Sequence, residues 1–134
     1  MNSRLEKQVR RRAQDRCEYC RLPQSVSRIR HQIDHIIATQ HGGPDEASNL
    51  AVACIRCNLR KGPNLAGLDS VSGKLVPLFN PRSDRWCDHF EWQGPLVVGL
   101  SPIGRATIQV LNINDPAAIE VRQVLIDEGL FPPI

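Results

Sequence analysis

Five cysteines in 134 residues constrain this chain more than any other feature, because four of them fall into two C-x2-C pairs. Cys17 and Cys20 form the first pair, Cys54 and Cys57 the second, and 33 residues separate them. Each pair sets two thiolates on one side of a tight turn, and two such turns complete the closed tetrahedron of a structural zinc site. A disulfide framework is the alternative, but it needs an oxidising compartment and leaves one cysteine over. Cys87, between Trp86 and Asp88, reads as a small buried residue and not as a ligand. Metal bound at such a site contributes on the order of 10 kcal/mol to folding, so the first half of the chain is expected to depend on it.

The distribution of aromatics and charge agrees. Tyr19 is the one aromatic among residues 1–78, whereas Phe79, Trp86, Phe90, Trp92 and Phe131 all follow. A half with so little aromatic volume needs a staple besides its core. The formal charge of +3 conceals an asymmetry: residues 1–62 carry twelve Lys/Arg against six Asp/Glu, and residues 63–134 carry five against eight. No apolar run approaches the roughly 18 residues of a membrane span. The polar, arginine-rich start lacks the apolar stretch of a secretory leader. One domain in the cytoplasm, residues 1–134, is therefore expected, with residues 1–66 as a zinc-stapled core and 67–134 as an extension covering it.

Along the chain, Ser3 followed by Glu6 is a capping-box pattern, and Leu5, Val9 and Ala13 repeat at helical spacing. This predicts a basic amphipathic helix over residues 4–16. Mixed alternation through Ile29, Ile33 and Ile37 predicts a strand. A polar loop with Gly42, Gly43 and Pro44 follows, and the chain returns through Leu50 and Val52. A short helix over 56–61 is stopped by Gly62 and Pro63. Residues 67–73 read as a turn-rich link, 75–100 as two short strands, and Ser101-Pro102 as the start of a helix. A last helix begins at 114–116 and ends near Gly129.

Between and just after the knuckles stand Asp34-His35, His41-Gly42-Gly43, Asn49-Leu50, Asn58 and Lys61-Gly62. In this order and placement the chain resembles the zinc-knuckled HNH endonucleases, which read C-x2-C, D-H-I, a G-G turn, N-L, then C-x2-C followed by His or Asn and x2-K. The resemblance is close over residues 10–62 and looser beyond. It implies an α+β fold with a ββα-metal core of the HNH (His-Me finger) type, a four-cysteine zinc site, an N-terminal basic helix, and C-terminal strands and helices packed on it.

It also implies hydrolysis of phosphodiester bonds in DNA. That chemistry needs an activated water and a cation to neutralise charge on the phosphate. In the family His35 would be the general base, an imidazole being suited to proton transfer near neutrality. Asp34 and Asn58 would hold the catalytic ion. A carboxylate and an amide oxygen make a sparse hard-oxygen site suited to Mg2+ or Mn2+. Asn49 would pin the loop that aims His35, since an amide both donates and accepts. His41, Lys61 and some of Arg10, Arg11, Arg12 and Arg16 are candidates for phosphate contacts. The alternatives are a zinc-stabilised nucleic-acid-binding module without catalysis, and an accessory subunit that docks another protein through its acidic C-terminal part. A homodimer or larger protein partner is left open.

Overall fold

The computed structural model describes residues 1–132. These fall into two compact units, one made of Met1–Leu65 and Asn80–Asp84, the other of Ala66–Phe79 and the chain from Arg85 onward.

The first unit begins with helix α1, Ser3–Arg12. Its cap is Asn2, one residue earlier than the Ser3 pattern suggests: the Asn2 side chain accepts from the Leu5 amide at 2.8 Å. Glu6 is thereby one position too deep to close a capping box, and it turns to Arg10 instead, at 3.1 Å. The helix stops four residues short of the expected end because Gln14 and Asp15 take left-handed φ values of 55° and 52°. That turn swings the chain into the first knuckle.

Strands β1, Gln32–His35, and β2, Leu50–Ala53, pair antiparallel with His35 opposite Leu50 and Asp34 opposite Ala51. Helix α2, Ile55–Lys61, follows directly, and Gly62 ends it at φ 51°. The result is a ββα element. Val9 and Ala13 of the α1 segment pack on Leu50 and Val52, with Leu5 and Ile33 at the margin. This core is small and aliphatic. Residues 80–84 join the unit through Arg82, whose guanidinium pairs with the buried Glu18 carboxylate.

The second unit contains the hairpin of β3, Ala66–Leu68, and β4, Leu75–Pro77: its turn falls within the expected link of 67–73, and β4 is a strand beyond the two expected over 75–100. A short helix α3, Trp86–His89, leads into the hairpin of β5, Phe90–Gln93, and β6, Leu96–Gly99. Helix α4, Pro102–Leu111, is capped by Ser101, whose hydroxyl accepts from the Gly104 amide. Helix α5, Pro116–Asp127, is capped by Asp115. The core here is aromatic: Phe90 lies 5.3 Å from Phe79 and 5.1 Å from Trp86, and Trp92 lies 4.9 Å from Trp86 and 4.8 Å from Phe131. Cys87, expected to be buried, is exposed. In the one-turn helix α3 it is Trp86 that turns inward, and the next residue is directed away from it.

Candidate metal centre and adjoining catalytic site

The two knuckles converge. All four sulfur atoms of Cys17, Cys20, Cys54 and Cys57 lie within 4.8 Å of one another and all four residues are buried. The Cys20 and Cys54 sulfurs are 3.7 Å apart. A tetrahedron with Zn–S bonds of about 2.3 Å has edges of about 3.8 Å, so the spacing suits zinc. In each knuckle the amide three residues along the turn points at the first sulfur: Cys20 N–H donates to Cys17 Sγ and Cys57 N–H to Cys54 Sγ. The neighbouring thiols, Cys17 first, draw the Cys54 thiol down, whereas burial pushes Cys17 up. A cation held by the four sulfurs displaces their protons, which ties metal binding to pH.

Asp34 sits one residue from the end of β1 and is buried. Its Oδ2 takes the Lys61 ammonium at 3.1 Å and the Tyr19 hydroxyl at 3.3 Å. Burial raises the Asp34 carboxyl above the ordinary carboxylate value, against the opposing pull of Lys61, Tyr19 and His35. Burial also raises the Tyr19 phenol, followed by the charge of Asp34, which keeps the hydroxyl a donor. Lys61, expected to meet phosphate, is only 2% exposed. Besides Asp34 it donates to the His35 and Ile36 carbonyls at 3.3 and 3.2 Å. It therefore ties α2 to the end of β1. Asn58, one turn earlier on α2, is half-buried.

His35 closes β1 and leaves about a quarter of its side chain exposed. Its Nε2 hydrogen-bonds to Asp45 Oδ1 in the following loop. This bond to His35 holds the Asp45 carboxyl below its ordinary value. Adjacent strand residues point to opposite faces, and here Asp34 turns to Tyr19 and Lys61 while His35 turns to Asp45. Asn49 is buried and makes three hydrogen bonds: its Oδ1 accepts from Ile37 N–H at 2.9 Å, and its Nδ2 donates to the Ile37 and Pro44 carbonyls at 3.0 Å each. Gly43 is needed at this loop because a Cβ there would stand 1.7 Å from the Ile37 oxygen. His41 is exposed on a single 3-10 turn.

The arginines divide in an unexpected way. Arg10 donates to the His31 carbonyl at 2.8 Å, Arg12 to the Ala47 and Leu50 carbonyls at 2.9 and 2.6 Å, and Arg16 to the Arg21 carbonyl at 3.2 Å. These three fasten the chain to itself, and Arg11 alone of the four is left facing solvent without such a bond. Asp45, Tyr19 and Glu18 were missed in the sequence. Tyr19 did carry a signal, as the single aromatic of its half placed inside a knuckle. Asp45 carried none, because its meeting with His35 depends on how the loop folds back.

A model of the HNH endonuclease family matches residues 17–64. The match covers 48 of the 134 residues, and over them the chain resembles an HNH endonuclease domain. Comparison with curated proteins and with solved structures gave no match. The HNH domain holds both knuckles, β1, β2 and α2, and it indicates a nuclease or other nucleic-acid-related function. No helix among the described residues is long and apolar enough to cross a membrane.

Proposed function

We propose that this protein is a metal-dependent HNH endonuclease that hydrolyses phosphodiester bonds in DNA. The observation that carries the reading is His35 at the open end of β1, its Nε2 engaged by Asp45, inside the HNH domain. With Nε2–H donating to the carboxylate, Nδ1 keeps the free lone pair. Nδ1 takes the proton of a water as that oxygen bonds to phosphorus and the bond to the leaving deoxyribose oxygen breaks, and a solvent water protonates that leaving oxygen. Asp34 Oδ1, which accepts no hydrogen bond among the described residues, and the Asn58 amide oxygen are the ligands for a divalent ion, Mg2+ or Mn2+. Such an ion, when bound, neutralises charge that gathers on the phosphate. Lys61 and Tyr19 hold the Asp34 carboxylate by its other oxygen. Asn49 fixes the loop after His35, and the four cysteines carry a structural zinc.

A second reading, a zinc-stapled nucleic-acid-binding module without catalysis, has one observation in its favour: Asp34 already has a lysine partner at 3.1 Å. Supercoiled plasmid separates the two. The nuclease reading expects relaxation or linearisation with Mg2+ or Mn2+, none with EDTA, and a loss of at least about 100-fold in His35→Ala at unchanged zinc content. Cleavage at the wild-type rate by that variant would sink it.

A further inference from the structure

Beyond the HNH domain, α1 carries a feature that neither the zinc site nor the catalytic reading uses. Arg4, Lys7 and Arg11 recur at i, i+3 and i+7, which is one face of a helix. All three are exposed. That face is turned away from Leu5, Val9 and Ala13, which pack toward the β1–β2 hairpin. A shallow cleft of about 570 Å³ runs along it, lined by Ser3, Arg4, Lys7, Gln8, Arg11 and Arg12. The lining holds four cations, two neutral polar side chains and no carboxylate. The one acidic residue of α1, Glu6, is taken up by Arg10 at 3.1 Å and Arg30 at 3.8 Å. No ion pair or hydrogen bond engages the side chains of Arg4, Lys7 or Arg11 among the described residues, so their charge is uncompensated.

We infer that Arg4, Lys7 and Arg11 form a track for the phosphate backbone of duplex DNA, separate from the residues proposed to cut it. From residue 4 to residue 11 the helix rises about 10 Å at about 1.5 Å per residue. Phosphates of one strand advance about 3.4 Å each along the duplex axis, so three cations lie over about three phosphate steps. Ser3 and Gln8 add neutral donors of the kind that contact phosphate oxygens. Arg10, Arg12 and Arg16 are excluded from the track by the carbonyls they hold. Contacts of this type carry no sequence information. They anchor and orient the duplex, and they add affinity that falls with salt.

The inference rests on the reading of the HNH domain as DNA-directed, and the test keeps the two apart. Binding of a labelled 20-base-pair duplex is followed by fluorescence anisotropy across a salt series, with zinc-loaded full-length protein and without Mg2+ or Mn2+. Wild type is compared with the triple variant Arg4→Gln, Lys7→Gln, Arg11→Gln. The expected result is a slope of log K against log salt shallower by about 2 to 3, at about 0.9 per contact, with unchanged melting temperature and zinc content. Wild-type cleavage of plasmid with an unchanged slope in the triple variant overturns the track and leaves the nuclease reading intact. A reduced slope in a protein that cuts nothing supports the track and overturns the nuclease. No duplex DNA binding by wild type, or binding confined to duplex RNA, overturns the track outright.

Discussion

The two units solve the problem of a small core in opposite ways. The first has Tyr19 as its single buried aromatic, and its apolar cluster consists of Val9, Ala13, Leu50 and Val52 with two partly buried neighbours. Cross-links of other kinds take up the load: four converging thiols, arginines that grip carbonyls, a buried Glu18–Arg82 pair and a buried Asp34–Lys61 pair. The second unit is held by rings packed edge-on and tilted around Phe90, with Val97, Leu111, Ile113 and Leu125 also buried. Polar cross-links are directional and cost desolvation, so they stabilise only when each is fully satisfied. Aromatic packing needs no such matching. A unit built on polar links is thus rigid where function needs placed groups, and it fails as a whole when one strong link is lost.

Chelation is the largest blow to that contrast. Stripping metal from the four-cysteine site is expected to remove on the order of 10 kcal/mol, enough to unfold the first unit. The fluorescence of Trp86 and Trp92, both in the second unit, should keep its folded emission while far-ultraviolet circular dichroism falls in part. Native circular dichroism in a zinc-free sample would refute the dependence.

The converse experiment is Phe90→Ala. Phe90 is 1% exposed and touches rings on two sides, so the change should cost about 3 to 5 kcal/mol in the second unit at unchanged zinc content. Zinc loss on this substitution would mean that the two cores are not supported separately.

The smallest effect concerns the ion pair of buried Asp69 with half-buried Arg105 in the second unit. Arg105 reaches Asp69 at 2.6 and 3.2 Å and, with Ser72, holds its carboxyl well below the usual carboxylate range. A depressed folded pKa means that the unfolded chain takes up the proton first. The stabilisation is therefore present above the unfolded value of about 3.9 and is lost as pH falls through the folded one. Arg105→Gln should move the acid unfolding of the second unit to higher pH, read by tryptophan emission. An unmoved midpoint would show that Asp69 has no part in it.

Much of the first unit was legible because its constraints are local. The knuckle spacing reports a turn and Gly62 reports a helix stop, and in the second unit Ser101 before Pro102 likewise reports a cap. Each is decided by neighbours a few residues away. The capping of α1 went one residue astray because Asn2 and Ser3 are comparable caps, and only packing chooses the register. Cys87 was misread because burial in a one-turn helix depends on which residue the adjoining core takes.

What the sequence by itself determined is the set of chemically special residues and their order: four thiols, Asp34-His35, Asn49, Asn58, and a basic first half. Tertiary structure alone decided their duties. It gave Lys61 to Asp34, Asp45 to His35, and the carbonyls of the hairpin to Arg10 and Arg12, leaving Arg4, Lys7 and Arg11 in solvent. The physical reason is range: a turn or a cap is settled by a handful of dihedral angles, whereas the partner of a long charged side chain depends on which distant backbone or carboxylate the folded chain brings within about 3 Å of it.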